Sequence, residues 1–319
     1  MTTCSVVIRT LNEEAHLGRL LTGLEQQVTA PEEVIVVDSG STDATLSIAS
    51  AFGARIIQID REQFSFGRAL NIGFAAASAD VGVALSGHVY PLGKTHLTHL
   101  LRPFDDDQVA VTFGRQVGSE DSYFSEKRLM LQWFPATGSG VQSIPFSNNA
   151  NSATRLDVWK QLKFDEQLTG LEDVEFSHRA TALGWQIYYV AEAPVVHIHH
   201  EPWDRIRHRY RREARTLVQL DPTQKLTLAH AIALSGLNAA SDSLHAFRER
   251  SIAQDFPQII KFRSAQFLGA WQGSRLDGKL TPEMRRKLFF PATPSGPFVG
   301  IDTGELIDYT GHRDHESLD

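Results

Sequence analysis

Apolar residues fall in two rhythms along this chain. Short unbroken runs, SVVIR at 5–9, VIVV at 34–37, RIIQI at 55–59 and VAVTFG at 109–114, read as strands, those such as VIVV being buried on both faces. VGVALSGHVYP at 81–91 reads as one more buried strand ending in a polar turn closed by Pro91. Between the first runs, Leu17, Leu20, Leu21 and Leu24 recur at helical spacing, with Asn12 as the cap. A second helix is predicted from about Asp43 to Phe52, capped by Ser41 or Thr42. The resulting β-α-β-α-β order calls for parallel strands joined by right-handed crossovers. Residues 64–77 read as a loop entering a helix, with Gly67, Asn71 and Gly73 where backbone must come close to something. Residues 115–135 continue as a loop and a helix, and residues 148–162 open polar and become strand or helix near Ala153. Residues 171–185 form an amphipathic helix with Val174, Ala182 and Leu183 toward the core and Gly184 at its end. IYYVAEAPVVHIHH then predicts two short strands.

After about residue 204 the pattern changes to long helices, through residue 275, and residues 290–319 read as an irregular, acid-ended tail that wraps the body or is disordered. The expected organisation is an α/β body over residues 1–220 with a mixed, mainly parallel sheet flanked by helices. A helical extension over 221–290 and the tail over 291–319 follow.

A length of 319 residues fits one large or two ordinary domains, and 42% hydrophobic with 22% charged residues is the make-up of a globular protein. No run approaches a membrane span, and the opening MTTCSVVIRT lacks the layout of a signal peptide. Cys4 is the sole cysteine, which excludes an intrachain disulfide and a cysteine-based zinc site and fits a reducing, cytoplasmic setting. A net charge of −7 argues against general nucleic-acid binding and leaves room for local basic patches.

Candidate chemistry gathers at strand ends. VIVVDSGSTDAT places Asp38 and several hydroxyls at the carboxyl end of a strand, where open α/β sheets bind ligands; read plainly it is a strand, a turn and a capped helix. Glu172 and Asp173 open a helix, where the dipole favours carboxylates. Adjacent residues on a helix point in different directions, so one acid is free to act while the other orients loops, or both only steady the helix. His197 and His199 share one strand face and His200 the other. Six arginines lie between residues 205 and 215: Arg205, Arg209 and Arg212 share one helical face, and Arg207 and Arg211 another. One face suits a diphosphate and the other anionic lipid headgroups, unless the whole is a solvated basic helix. Trp133, Trp159, Trp185 and Trp203 are candidates for stacking on a ligand ring, or are core and rim residues.

These motifs, SVVIRTLNEE, VIVVDSGSTDAT, FSFGRALNIG, LSGHVYP and GLEDVEFSHRATALGW, occur in the order found in family-two glycosyltransferases of the GT-A fold. With GRQ at 114–116, FSNNANSATRLDVW, the paired histidines of VVHIHH and the FRSAQFLGAWQGSR stretch, the chain most resembles bacterial rhamnosyltransferase-like members. The resemblance implies an inverting transfer from a dTDP- or UDP-sugar, with rhamnose suggested, to a saccharide or lipid-linked acceptor of a surface polysaccharide. It implies Asp173 as general base beside Glu172. It places Thr10, Glu13 and Asp38 near the nucleotide, with Asn12 beside them and Glu13 otherwise a first-turn charge, and Asn148, Asn149 and Asn151 near the sugars. From the residues themselves, Arg68 after the Gly67 turn reaches a phosphate or the sugar or lies on a solvated helix face, and His88, Arg209 and Arg212 are candidates for the diphosphate. Peripheral association with the inner membrane face and a homo-oligomer are further expectations. One departure stands out. Where the family carries a metal-binding carboxylate motif, this chain has Ser86, Gly87 and His88. Three outcomes follow: His88 binds Mn²⁺ or a softer ion together with His197 or His199, His88 meets phosphate directly, or the enzyme is metal-independent. A non-catalytic nucleotide-sugar-binding or scaffolding subunit is the alternative, and a histidine-metal hydrolase finds no HExxH spacing to support it.

Overall fold

The computed structural model describes residues 2–199, 201–275 and 305–309. The chain opens with β1 (Cys4–Thr10), α1 (Leu17–Glu25), β2 (Glu33–Asp38), α2 (Thr45–Phe52), β3 (Arg55–Gln58), α3 (Phe66–Ala76) and β4 (Val81–Ser86). β1 pairs in parallel with β2 on one side and β4 on the other, and β3 extends the sheet beyond β2. The chain leaves β1 toward β2 and β3, then returns to the opposite side for β4. The crevice at the carboxyl ends of β1 and β4 is therefore the topological switch point, where such sheets take ligands.

The expected β-α-β-α-β opening is present, with two local differences. Asn12 does not cap α1; its φ is +56°, and its side-chain oxygen accepts the Thr42 amide at 2.8 Å, which ties the two strand-end loops together. At α2 it is Asp43, rather than Ser41 or Thr42, that accepts the Thr45 amide at 3.0 Å. The close approaches expected in α3 are real: a Cβ on Gly73 would overlap Val7, and one on Gly67 would lie 2.6 Å from the Asp165 carbonyl oxygen.

The run at 81–91 is not one strand. It breaks at Gly87 and His88, and β5 (Val89–Pro91) moves across to the far edge of the sheet. Next come α4 (His96–Leu101), β6 (Val109–Gly118), α5 (Phe124–Trp133), β7 (Gly140–Val141), β8 (Asn151–Arg155), α6 (Leu156–Leu162), α7 (Glu172–Ala182) and β9 (Gln186–His197). β9 is one long strand where two short ones were expected, because it runs parallel to β6 on one edge and is capped on the other by β5 and β7. Nine strands among the described residues make a mixed sheet in the order β3-β2-β1-β4-β8-β6-β9-β5, with β7 also on β9. In α7 the core face is Val174, Phe176 and Ala180; Ala182 and Leu183, the latter 63% exposed, turn to solvent as the helix ends before Gly184.

Three long helices complete the described body: α8 (Trp203–Leu220), α9 (Leu228–Arg248) and α10 (Ile252–Gly273). α10 lies directly on α8, since a Cβ on Gly269 or Gly273 would run into the Arg207 or Arg211 carbonyl. One apolar cluster joins Val174 of α7, Leu217 of α8, Leu234 of α9 and Phe267 of α10, so packing crosses the boundary expected at residue 220. No helix of the described residues is long and apolar enough to cross a membrane. Of the tail, residues 305–309 wrap back onto the body: Ile307 is buried, and the Tyr309 hydroxyl donates to the Pro91 carbonyl at 2.7 Å. His200, residues 276–304 and residues 310–319, on which part of the extension and tail expectations fall, lie outside the described residues.

Candidate active site

A cleft of about 610 Å³ opens at the switch point and runs between the strand ends and helices α5, α7, α8 and α10. On its sheet side stand Thr10, Glu13, Ser39 and His88. Asp38 is fully buried behind them. One of its oxygens accepts the hydroxyls of Thr10 and Ser41, and the other accepts the amides of Gly40 and Ser41 at 2.9 Å each. A carboxylate offers about four acceptor positions, and all four are taken. Asp38 thus shapes the turn in this structure rather than presenting a free oxygen to a pyrimidine N3–H. Glu13 likewise spends its carboxylate locally, 2.8 Å from His88 Nδ1. Gly87 makes that contact feasible, because a Cβ there would lie 2.7 Å from the Glu13 side chain.

Three histidines meet in the middle of the cleft. His88 follows β4, His197 ends β9 and His199 lies just beyond, with ring centroids 3.9 Å apart for His197 and His199 and 5.1 Å for His88 and His197. A register irregularity of β6 against β9 between Gly114 and Gln116 brings the Gln116 amide oxygen to 2.6 Å from His197 Nδ1. His199 Nδ1 is 3.0 Å from Glu126. Glu126 is buried, and although burial alone would raise its pKa, Arg209 and His199 together hold it well below the usual carboxylate range. Burial lowers the pKa of His197 well below that of an ordinary histidine, helped by the neighbouring histidine and arginine charges. His197 Nε2 is buried with no hydrogen-bond partner, an orphaned nitrogen of the kind a metal ion satisfies, so the residues present fit a divalent cation with a taste for nitrogen.

The carboxylates sit one step further in. Asp173 is 7% exposed, and its oxygens accept only backbone amides, Asn149 at 2.9 Å and Val174 at 2.8 Å. Burial first, and then the charge of Glu172, push its pKa up to about 7. Glu172 faces the other way, as adjacent helical positions require, and takes Arg9 and the Asn149 amide, each at 3.3 Å. One of the two acids is thereby left free of any cationic partner, and it is the one poised to exchange a proton near neutrality.

Arg205, Arg209 and Arg212 line the cleft. Arg209, however, is not free for phosphate: its terminal nitrogens reach Glu126 at 3.0 and 2.8 Å, and its Nε lies 2.9 Å from Glu201. Arg212 packs over Phe66 at 4.7 Å, with Arg9 5.0 Å from the same ring, and its buried Nε has no hydrogen-bond partner. Arg68 is outside the cleft, pairing with Glu166 at 3.2 Å and Gln63 at 3.1 Å. Of the three asparagines only Asn148 lines the cleft; Asn149 supports Glu172 and Asn151 is buried against the Arg115 and Ala193 carbonyls. Trp133 lines the cleft stacked on Phe146, while Trp159 is core, Trp185 packs on the edge of the core, and Trp203 lies against Tyr123. Arg9, Glu126 and Phe66 were not singled out from the sequence. The signal for Glu126 was weak but present, an acid inside an otherwise basic and apolar helix.

The sequence pattern of Glycosyl transferase family 2 matches residues 5–162. The chain is 27% identical over 208 residues to the O-antigen chain rhamnosyltransferase RfbN of Salmonella typhimurium, covering 61% of this chain and 66% of that protein. It is 28% identical over 212 residues to the O-antigen chain rhamnosyltransferase WbaN of Salmonella anatum, covering 62% and 67%. The matched region thus spans about two thirds of these relatives. In fold it is similar to the mannosyltransferase PcManGT from Pyrobaculum calidifontis, solved with GDP-Man and Mn²⁺, with a TM-score of 0.60, 16% identity, and coverage of 85% and 87%. With its motifs in order, its crevice at the switch point and these likenesses agreeing, the chain belongs, through residues 5–162, to glycosyl transferase family 2 and has a GT-A fold.

Proposed function

We propose that this protein moves a sugar from a nucleotide diphosphate-sugar to an acceptor hydroxyl with inversion at the anomeric carbon. The observation that carries this reading is Asp173: a buried carboxylate on the cleft wall, without a cation, whose pKa is about 7. It takes the acceptor proton as the hydroxyl oxygen attacks, and the bond from the anomeric carbon to the phosphate oxygen breaks in the same displacement. Glu172, fixed by Arg9 and Asn149, keeps Asp173 basic by like-charge repulsion. Arg212, with no carboxylate partner among the described residues, and exposed Arg205 face the cleft and offset charge on the leaving diphosphate. A divalent ion held by His88, His197 and His199 would supply Lewis-acid neutralisation of that diphosphate.

Rhamnose as the transferred unit is supported by the Salmonella relatives, and a dTDP- or UDP-linked donor is what the motif resemblance implies. The same likeness supports a growing surface polysaccharide or a lipid-linked saccharide as acceptor. Exposed Arg207 and Arg211 on the outer side of α8 support work at an anionic membrane face, and exposed Ile232, Leu237 and Phe247 on α9 support contact with a second copy. The test is a melting-temperature screen against UDP-, dTDP-, GDP- and CMP-sugars with Mn²⁺, Mg²⁺ or EDTA, followed by transfer assays with the stabilising donor. One donor should raise the melting temperature, and Asp173→Asn should keep that shift while losing transfer. No shift with any donor and no transfer by the native protein would defeat the proposal.

A further inference from the structure

We propose that His88, His197 and His199 form a metal centre whose protein ligands are three imidazole nitrogens, selective for Mn²⁺, Co²⁺ or Zn²⁺ over Mg²⁺. The purpose of the ion rests on the transferase reading above; its binding is read from the side chains alone. One ring nitrogen from each histidine lies within 4.8 Å of the other two. Each Nδ1 is already engaged, by Glu13 at 2.8 Å, Gln116 at 2.6 Å and Glu126 at 3.0 Å. A carboxylate only accepts, so Nδ1 of His88 carries the hydrogen; His199 Nδ1 faces both Glu126 at 3.0 Å and the donor-only Arg209 Nη1 at 3.3 Å, and the nearer carboxylate sets the same tautomer there. The Gln116 amide is oriented by donating its nitrogen to Asn148 at 3.0 Å, which turns its oxygen to His197 and sets the same tautomer there. All three rings therefore hold their lone pair on Nε2, and the one on His197 is buried without a partner. A metal-binding histidine needs just this arrangement, a carboxylate or amide on one nitrogen and a free lone pair on the other.

Charge supports the same reading. Arg209 is neutralised by Glu126 and Glu201, and Glu13 and Glu126 stand behind their imidazoles, so acidic groups surround the place of a dication without touching it. The donor set decides the ion. Mg²⁺ requires oxygen ligands in a near-octahedral shell, whereas imidazole suits later divalent metals. Nitrogens about 2.1 Å from a tetrahedral ion lie about 3.4 Å apart, so rings whose nitrogens lie within 4.8 Å of one another draw in on binding, His88, at 30% side-chain exposure, being the freest to move.

The test is direct binding by the full chain after chelator treatment, with no donor present. Co²⁺ should give visible d–d absorption that Zn²⁺ abolishes and a thousandfold excess of Mg²⁺ does not. His88→Ala should weaken Co²⁺ binding at least tenfold, with an unchanged melting temperature showing that the fold persists. Glu13→Gln, which leaves all three ligands in place, should weaken it roughly 10- to 100-fold. Absence of the band in the native protein, equal competition by Mg²⁺, or unchanged affinity in His88→Ala would each overturn the proposal. A protein that binds Co²⁺ in this way yet transfers no sugar would instead count against the transferase reading.

Discussion

Asp173→Asn is expected to abolish transfer while making the protein more stable, and the gain should depend on pH. The folded carboxyl ionises near 7, whereas an aspartate in an unfolded chain ionises near 3.9. Between those values the folded protein holds a proton that the unfolded chain has released. Native stability is therefore intact below about pH 4, falls as pH rises toward 7, and levels off above it. Each unit of difference is about 1.4 kcal/mol, so about three units set a ceiling of about 4 kcal/mol at pH 8. Asparagine has a single acceptor oxygen for the two amides of Asn149 and Val174, and losing one of those bonds costs about 1 kcal/mol. The variant should then be more stable by on the order of 3 kcal/mol at pH 8 and slightly less stable at pH 4. Urea unfolding at pH 4, 6 and 8 reads this directly. A variant that is no more stable than the native protein at pH 8, or a difference that stays flat with pH, would refute the view that a buried, like-charge-strained carboxylate sits here.

Three further perturbations separate roles within the cleft. Glu172→Gln removes the like charge and frees Arg9, so the midpoint at which kcat/KM rises with pH should move below that of the native enzyme; an unmoved midpoint would show that Glu172 does not tune Asp173. Arg68→Ala breaks a half-exposed pair with Glu166, worth about 1 kcal/mol or less, and a hydrogen bond to Gln63, both outside the cleft, and donor KM should stay within about twofold; a rise of tenfold would mean that Arg68 leaves Glu166 to reach the donor. Trp133→Ala removes an aromatic wall stacked 5.0 Å from Phe146 and should raise acceptor KM by roughly tenfold, from about 1.4 kcal/mol of lost contact, with donor hydrolysis unchanged. If donor hydrolysis falls equally, the wall serves the donor instead.

What the sequence displayed and what it hid differ in reach along the chain. Val34 to Val37 and the repeat of leucines in α1 were legible because burial on a sheet or helix repeats every few residues. Glu172 and Asp173 were legible because they are adjacent and open a helix. Arg9 was not, since its partner Glu172 is 163 residues away, nor were Gln116 and Glu126, which meet their histidines across 81 and 73 residues. Asp38 shows the converse: its position at the crevice was readable, but its four local hydrogen bonds were not. Arg209 is alike, because a charge counted along a helix says nothing of the acid buried opposite it.

The missing acid after β4 takes on a different meaning once those long-range partners are known. A sequence that replaces a ligand carboxylate with Ser86, Gly87 and His88 reads as a loss of metal-binding capacity. In the folded protein, Glu13 reaches the new histidine across Gly87, whose lack of a Cβ is what lets it approach. Glu126 does the same for His199 from a separate helix. Negative charge thus stands one hydrogen bond outward of the three histidines, behind nitrogen, in place of a carboxylate at the ligand position. That exchange preserves the field that attracts a dication while changing the atoms that touch it, so the consequence to expect is a change of preferred ion rather than the end of ion binding.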